Sequence, residues 1–345
     1  MARIAVVSFR LGGADGVSIE AAKWVAALER LGHEVTQVAG EGPVDVLLPG
    51  LAMYAPTPPT LEELRSALDG AQLVIVENLA SLPLNVAARE QLYRVLDRRP
   101  ALFHHHDLPW QRQHLTHLEG PRDQARWRHV TINELSRRQL MNRGITATTI
   151  MNSFDCDPPS GNRSATREEL AIENRTLLLM PTRALARKNV AGALELASSL
   201  DAVLWLLGPP EDGYGDELDH LLARTKVEVR RGLAPGRTIH DAYAASDLVV
   251  VPSTWEGFGN PVLESVTHRR ALSVYPYPVL DEIVAFGFRF FALEDVEDAR
   301  RFLQRPDTSL LDHNLSIARQ HFNVDDLPRR LDEVLELDAK VVRGT

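Results

Sequence analysis

Short runs rich in Val, Ile and Leu alternate along the chain with stretches in which apolar residues recur every three to four positions. The runs at 3–8, 33–38, 44–48, 73–77, 148–151, 176–180, 203–207, 227–231 and 247–252, and the run from 101 up to the histidines at 104–106, read as strands, several of them apolar on both faces, as in a buried parallel sheet. Between them the periodicity predicts helices over 18–31, with Ala21, Val25 and Leu28 inward, and over 61–68, 86–96, 134–143 and 190–200, with another starting near Pro261. Regular strand and helix alternation of this kind predicts an α/β fold with parallel sheets.

At 345 residues the chain is long for one core and comfortable for two such domains. The Pro-, Gly- and Ser-rich stretch 155–164 has linker composition and marks the expected boundary. The expected division is an N-terminal domain over 1–155, a C-terminal domain over 156–325, and a final helix over 326–345. That helix carries Leu331, Val334, Leu335 and Val341 on one face.

A content of 44% apolar and 25% charged residues is that of an ordinary globular protein. No run reaches the roughly 20 apolar residues of a membrane-spanning helix. The first residues form a strand and not a secretory signal, so a cytoplasmic location is expected. One cysteine, Cys156, excludes an internal disulfide and a cysteine-based zinc site. The net charge of −9 argues against a dedicated nucleic-acid binder. Charge is uneven, however: 111–143 holds Arg112, Arg122, Arg126, Arg128, Arg137, Arg138 and Arg143 against Glu119, Asp123 and Glu134. This is either a mostly solvated helical face or a patch that attracts an anion or a membrane surface.

The most informative stretch runs from Pro252 to Glu264 and reads as strand end, Gly-rich loop and helix start. Gly257 and Gly259 allow close backbone approach, and Pro261 suits a first helical position, where its missing N–H costs nothing. Such a helix start offers free N–H groups to an anion. Glu256 falls at the carboxyl end of the strand and Glu264 in the first helical turn, so the two carboxylates can face one pocket. No His, Cys or Asp-x-Asp lies nearby to complete a metal site, and no metal is expected. Arg183 and Lys188 sit at another strand-to-helix junction, where two cations beside a helix N-terminus suit a diphosphate. Gly12-Gly13 departs from the Gly-x-Gly-x-x-Gly dinucleotide pattern, which leaves a tight turn or a phosphate-lining loop and gives no support for a nicotinamide cofactor. Gly208 and Gly232 read as turn glycines.

Three histidines, His104 to His106, close the strand beginning at Ala101. Successive strand residues point to opposite faces, so at most His104 and His106 share one. His106-Asp107 then caps the strand, Trp110 offers an apolar face of the kind sugars stack on, and Glu77 and Asn78 emerge at a neighbouring strand end.

The span Glu256-Gly-Phe-Gly-Asn-Pro-Val-Leu-Glu264 resembles the signature of retaining glycosyltransferases of family four, also called group one, which have the two-domain GT-B fold. Arg183 and Lys188 match that family's Gly-Arg-x-x-x-x-Lys element, with Thr182 in place of the Gly. Asn152-Ser-Phe-Asp155 is similar to its Asn-Gly-x-Asp step out of the first domain, with Ser153 in place of the Gly. The resemblance implies two Rossmann-like domains facing each other across a cleft, acceptor on the N-terminal one and donor on the C-terminal one, with the C-terminal helix returning to the first domain. It implies transfer of a hexose from a nucleoside-diphosphate sugar, with retention, no metal and no cofactor beyond that co-substrate. His106, Arg183, Lys188 and Glu256 would be catalytic. Gly12, Gly13, Gly208, Gly257, Phe258, Gly259 and Asn260 would line the donor, with Arg183 and Lys188 on its diphosphate, Glu256 on the sugar hydroxyls and Glu264 on the ribose. His106, Asp107, Trp110 and Arg112 would meet a small acceptor, which the local arginines suggest is phosphorylated or carboxylated. A nucleotide-sugar epimerase of the same fold and a binding-only pseudoenzyme are the competing readings.

Overall fold

The computed structural model describes residues 1–342, with side chains through Leu335. Its contacts divide the chain into two units, Met1–Ser153 together with Val324–Thr345, and Phe154–Asn323.

Unit 1 holds β1 (Arg3–Arg10), β2 (Glu34–Glu41), β3 (Val46–Leu47), β4 (Leu73–Glu77), β5 (Ala101–His105), β6 (Trp127–Thr131) and β7 (Thr148–Thr149). They form one sheet in the order β3-β2-β1-β4-β5-β6-β7, with parallel pairing throughout. Unit 2 holds β8 (Leu177–Met180), β9 (Val203–Leu206), β10 (Val229–Arg231), β11 (Leu248–Val251), β12 (Leu272–Val274) and β13 (Phe291–Ala292). Their order is β10-β9-β8-β11-β12-β13, again parallel. In each unit the chain first winds one way from the starting strand, then crosses back and winds the other way. The reversal falls beside β1 and β4 in unit 1 and beside β8 and β11 in unit 2. At such a switch point the loops leaving the strand carboxyl ends diverge and open a crevice.

The central strands are buried along their whole length, as the unbroken apolar runs require. In unit 1 the helix Gly16–Arg30 starts where Asp15 accepts a hydrogen bond from Ser18 N, and it buries Trp24, Val25 and Leu28. The last helix, Leu327–Val342, packs against it through Leu327, Leu331 and Val334. Leu327 and Leu331 are 0% and 1% exposed. Burying each contributes about 1.5–3 kcal/mol, which ties this terminal helix to unit 1. The Val341 side chain expected on the same face lies outside the described residues.

Three strands differ from the expected reading. The basic stretch is not one helical face: two single-turn 3-10 helices are followed by β6 and then by the helix Glu134–Met141. Arg128 and His129 disguise β6 as a polar run, although His129 is buried and bonded to His105 and Asp123. The strands β12 and β13, of three and two residues, are too short to show a period. No described helix is long and apolar enough to cross a membrane.

Candidate functional site

In unit 2 the loops after β8 and β11 are fastened to each other. Thr254 N donates to Arg187 O at 2.9 Å, Arg187 Nη1 to Trp255 O at 3.0 Å, and Asn189 Nδ2 to Pro252 O at 3.3 Å. Asn189 adopts a left-handed φ of 51° and caps the helix Val190–Ser199 by accepting from Gly192 N. This sharp turn lets the preceding residue, Lys188, turn inward. Its ammonium forms an ion pair with Glu256 Oε1, and Arg187 Nη1 lies 3.3 Å from Glu256 Oε2. Both members of the pair are buried, at 7% and 6% exposure. Burial alone would raise Glu256, but Lys188 and Arg187 outweigh it and hold the carboxyl below its usual range. Burial, with the nearby Arg187 and Arg183, lowers Lys188 even against the pull of Glu256. Glu256 thus stays an anion inside a cluster of cations.

Arg183 reaches the same neighbourhood partly exposed and donates to Glu211 Oε2 at 2.5 Å. Gly208 lies against its backbone, where a Cβ would stand 2.4 Å from Arg183 Cα, so only glycine permits this approach. Gly259 has φ +99°, and a Cβ there would stand 2.0 Å from the Tyr277 hydroxyl, which donates to Phe258 O. The helix Asn260–Thr267 begins one residue earlier than expected, so Pro261 takes its second position. Gly257 and Asn260 flank the two residues that shape this loop. The Phe258 ring corrects the expected donor contact: it is 3% exposed and packs among Phe154 and Phe322, so only its backbone is left to line a ligand. Glu264, half-buried on the helix, accepts from the Tyr243 hydroxyl at 2.8 Å.

In unit 1 the three histidines divide as strand geometry requires. His104 and His106 both meet Glu77 Oε2, His104 through Nδ1 at 2.8 Å and His106 through Nε2 at 2.9 Å. His105 turns the other way and continues a chain that runs from the interior to the surface, Ser81 Oγ to His105 at 2.5 Å, His105 to His129 at 2.9 Å, and His129 to the exposed Asp123 at 3.2 Å. Glu77 and His104 are fully buried and His106 is 4% exposed. Burial pushes Glu77 up, yet the two imidazoles outweigh it and bring the carboxyl down to about 2. An ionised Glu77 accepts an N–H from each ring, which places a proton on His104 Nδ1 and on His106 Nε2. Asn78 Oδ1 accepts from the backbone N–H of His106 and of Asp107, each at 3.1 Å, and fixes the strand end. Glu77, His104 and His106 also present three ligand-type atoms within 4.8 Å of one another. The short carboxylate-to-imidazole contacts are accounted for by N–H···O bonds.

The other expected acceptor contacts are occupied by protein. The Arg143 guanidinium lies 3.7 Å over the Trp110 ring, Trp110 Nε1 donates to Gln139, and Gly120 packs at the ring edge. A sugar therefore cannot stack on that face as the structure stands, because the cation–π contact already covers it. Arg112 pairs with Asp107 at 3.0 Å, Arg122 with Glu90 and Glu119, and Arg137 with Glu134, so much of the basic stretch is neutralised locally. Gly12 has φ +71° with Pro43 where a Cβ would go, which explains it as a tight turn, and Gly13 follows with more room. Sequence reasoning missed Arg187, Glu211 and Tyr243, whose partners are 69, 28 and 21 positions away. Only for Arg187 was there a signal, its place between Arg183 and Lys188.

Residues 162–315 match the family model described as Glycosyl transferases group 1. Two curated relatives carry the name mannosylglucosylglycerate synthase. The one from Thermotoga maritima is 25% identical over 98% of this chain and 99% of its own length, and the one from Petrotoga mobilis is 24% identical over 88% and 89%. Among solved structures, Anabaena Alr3699/HepE in complex with UDP and glucose superposes with a TM-score of 0.76 at 18% identity, covering 97% of this chain and 100% of that one. Sucrose-phosphate synthase (tll1590) from Thermosynechococcus elongatus superposes at 0.74 with 14% identity and covers the whole of both chains. These likenesses in structure show a shared fold.

Proposed function

From a chain whose residues 162–315 match the group 1 glycosyl transferases and whose fold is GT-B, we propose a retaining transferase that moves a hexose from a nucleoside-diphosphate sugar to a small acceptor bearing a carboxylate. The observation that carries the donor half is the buried Lys188–Glu256 pair with Arg187 and Arg183 around it. A departing nucleoside diphosphate gains negative charge as the sugar bond breaks, and cations already fixed in place stabilise that charge without reorganising. Lys188 and Arg183 would meet the diphosphate, with Arg183 exchanging Glu211 for a phosphate oxygen. Glu256 would accept from donor-sugar hydroxyls, and Glu264 from the ribose.

Retention follows if the acceptor oxygen attacks the face the diphosphate is leaving. The bond from the anomeric carbon to the phosphate oxygen breaks, the bond to the acceptor oxygen forms, and a phosphate oxygen takes the acceptor proton. No protein carboxylate is then needed as a nucleophile. His106, held by Glu77, would accept a hydrogen bond at Nδ1 from the acceptor or the donor sugar. Both curated relatives are named for a product containing mannose, glucose and glycerate, which supports a glycoside of glycerate as the acceptor. Arg112 is proposed to exchange Asp107 for that carboxylate.

The test pairs UDP-, GDP- and ADP-linked glucose and mannose with glucosylglycerate and with neutral glucosylglycerol, and reads the new anomeric linkage by NMR. The expected result is a retained linkage on glucosylglycerate, with KM rising about tenfold in Arg112→Ala, the loss of one charged hydrogen bond. Equal use of glucosylglycerol, unchanged by Arg112→Ala, overturns the anionic acceptor. An inverted linkage overturns the front-face mechanism.

A further inference from the structure

The helix Ile239–Ala245 meets the helix Asn260–Thr267 and its C-cap residue His268 through Tyr243 and His240. Tyr243 is fully buried, and its hydroxyl donates to Glu264 Oε2 at 2.8 Å. Its ring stacks on His268 with centroids 4.3 Å apart, and His268 is itself fixed from two sides. Its Nδ1 lies 2.7 Å from Glu264 O, a contact that requires an N–H there, so Nε2 carries the lone pair. That Nε2 receives His240 Nδ1 at 2.9 Å. The ring of Tyr243 is therefore held by a histidine anchored to the backbone of the very residue whose carboxylate the hydroxyl meets. A fully buried phenol costs free energy unless its hydroxyl is bonded, and Glu264 is the partner the structure gives it.

We propose that Tyr243 is the positioning residue for Glu264: it occupies one carboxylate oxygen from behind and fixes the rotamer in which the carboxylate reaches the ribose hydroxyls of the donor nucleotide. This rests on the reading of Glu264 as the ribose contact. A long acidic side chain on a helix surface has several rotamers, and freezing it before the ligand arrives removes an ordering cost from binding. The hydrogen bond from a neutral phenol leaves the negative charge in place, so the acceptor capacity toward the ribose is retained. Tyr243 does not touch the nucleotide in this account; it acts through Glu264.

The experiment measures binding of UDP and GDP, each with its 2′-deoxy and 3′-deoxy forms, by calorimetry in wild type, Tyr243→Phe, Glu264→Gln and the double variant. Melting temperature is recorded for each protein. Phe has the same ring and leaves the stack on His268 intact, so Tyr243→Phe is expected to fold. In wild type the better-bound nucleotide should lose about tenfold or more in affinity when the ribose hydroxyl is removed, as expected when a buried polar partner is left unpaired. Tyr243→Phe should shrink that discrimination at least threefold. The double variant should discriminate no less than Glu264→Gln alone. A Tyr243→Phe protein that melts lower but keeps wild-type discrimination overturns the proposal, because a purely structural role moves stability and not ribose selectivity. If Glu264→Gln itself keeps full discrimination, the ribose assignment of Glu264 fails, and the inference falls with it for a different and identifiable reason.

Discussion

The Lys188 ammonium and the Glu256 carboxylate, 68 positions apart, form an ion pair in which both groups are buried. Neither charge would persist alone in that environment. The carboxylate is what allows a cation to wait, dehydrated, where a leaving phosphate would need it, and the cation is what keeps the carboxylate ionised. Arg187 supports the same carboxylate from a more exposed position.

Removing one member of a buried pair leaves the other uncompensated, which costs about 3–5 kcal/mol. Lys188→Ala should therefore lower the urea midpoint substantially, with Arg187 absorbing part of the loss, while Arg187→Ala should cost less. In kinetics Lys188→Ala should reduce kcat by more than it raises donor KM, because the charge it meets is greatest as the bond breaks. A Lys188→Ala protein with wild-type stability and wild-type kcat contradicts both roles.

Glu77→Gln replaces an acceptor of two N–H groups by an amide with one carbonyl oxygen and an NH₂ that meets a ring nitrogen head-on. Its expected effect is a loss of stability on the order of 2–3 kcal/mol from a disturbed buried network, together with a fall in transfer rate as His106 loses its fixed tautomer. Glu77→Asp, which keeps the charge on a shorter stem, should recover part of the stability. Unfolding curves and steady-state rates on the three proteins check this; an unaffected rate in Glu77→Gln separates His106 from the reaction.

Activity should survive exhaustive chelation if, as proposed, the cations around Glu256 supply the charge stabilisation that a divalent ion gives in metal-dependent transferases. The measurement is transfer rate after EDTA and desalting, with Mg²⁺, Mn²⁺ or Zn²⁺ added back. Loss on chelation and recovery with one ion would instead make Glu77, His104 and His106 a metal site.

Stability should fall as the solution is acidified below about pH 6.5. Burial, with His240 and Arg270 nearby, pulls His268 down to about 4, so the unfolded chain takes up a proton that the folded one refuses. Above the unfolded value both states are neutral and the group contributes nothing; between that value and about 4 the unfolded state binds more protons, and stability drops by roughly 2–3 kcal/mol. Glu77 continues the decline: its folded pKa of about 2 lies below the unfolded value, so its contribution is present above about pH 4.5 and is lost toward pH 2. Denaturant midpoints taken between pH 7 and pH 4 should slope downward, and His268→Gln should flatten that slope. An identical slope in both proteins assigns the acid sensitivity elsewhere.

Much of the architecture was written in one dimension. Apolar runs bounded by turns specify buried parallel strands, helical periodicity specifies what covers them, and the loop from Glu256 to Glu264 carries its own backbone requirements in Gly259 and Pro261. These are local properties, set by φ, ψ and side-chain spacing, and they also convey the family resemblance. Strand parity even divides His104 and His106 from His105 without any structure. What only the tertiary structure decided is which charge faces which. Lys188 was legible as a cation at a helix start, but not as the partner of Glu256; Trp110 as an apolar face, but not as one already covered by Arg143; Phe258 as part of a motif, but not as buried among Phe154 and Phe322. Tyr243 gave no sign of being a support for Glu264. The reason is physical: the strength of an ion pair, a cation–π contact or a buried hydrogen bond depends on distance and on the exclusion of water. Those are fixed only when parallel strands far apart in sequence bring their carboxyl-end loops together.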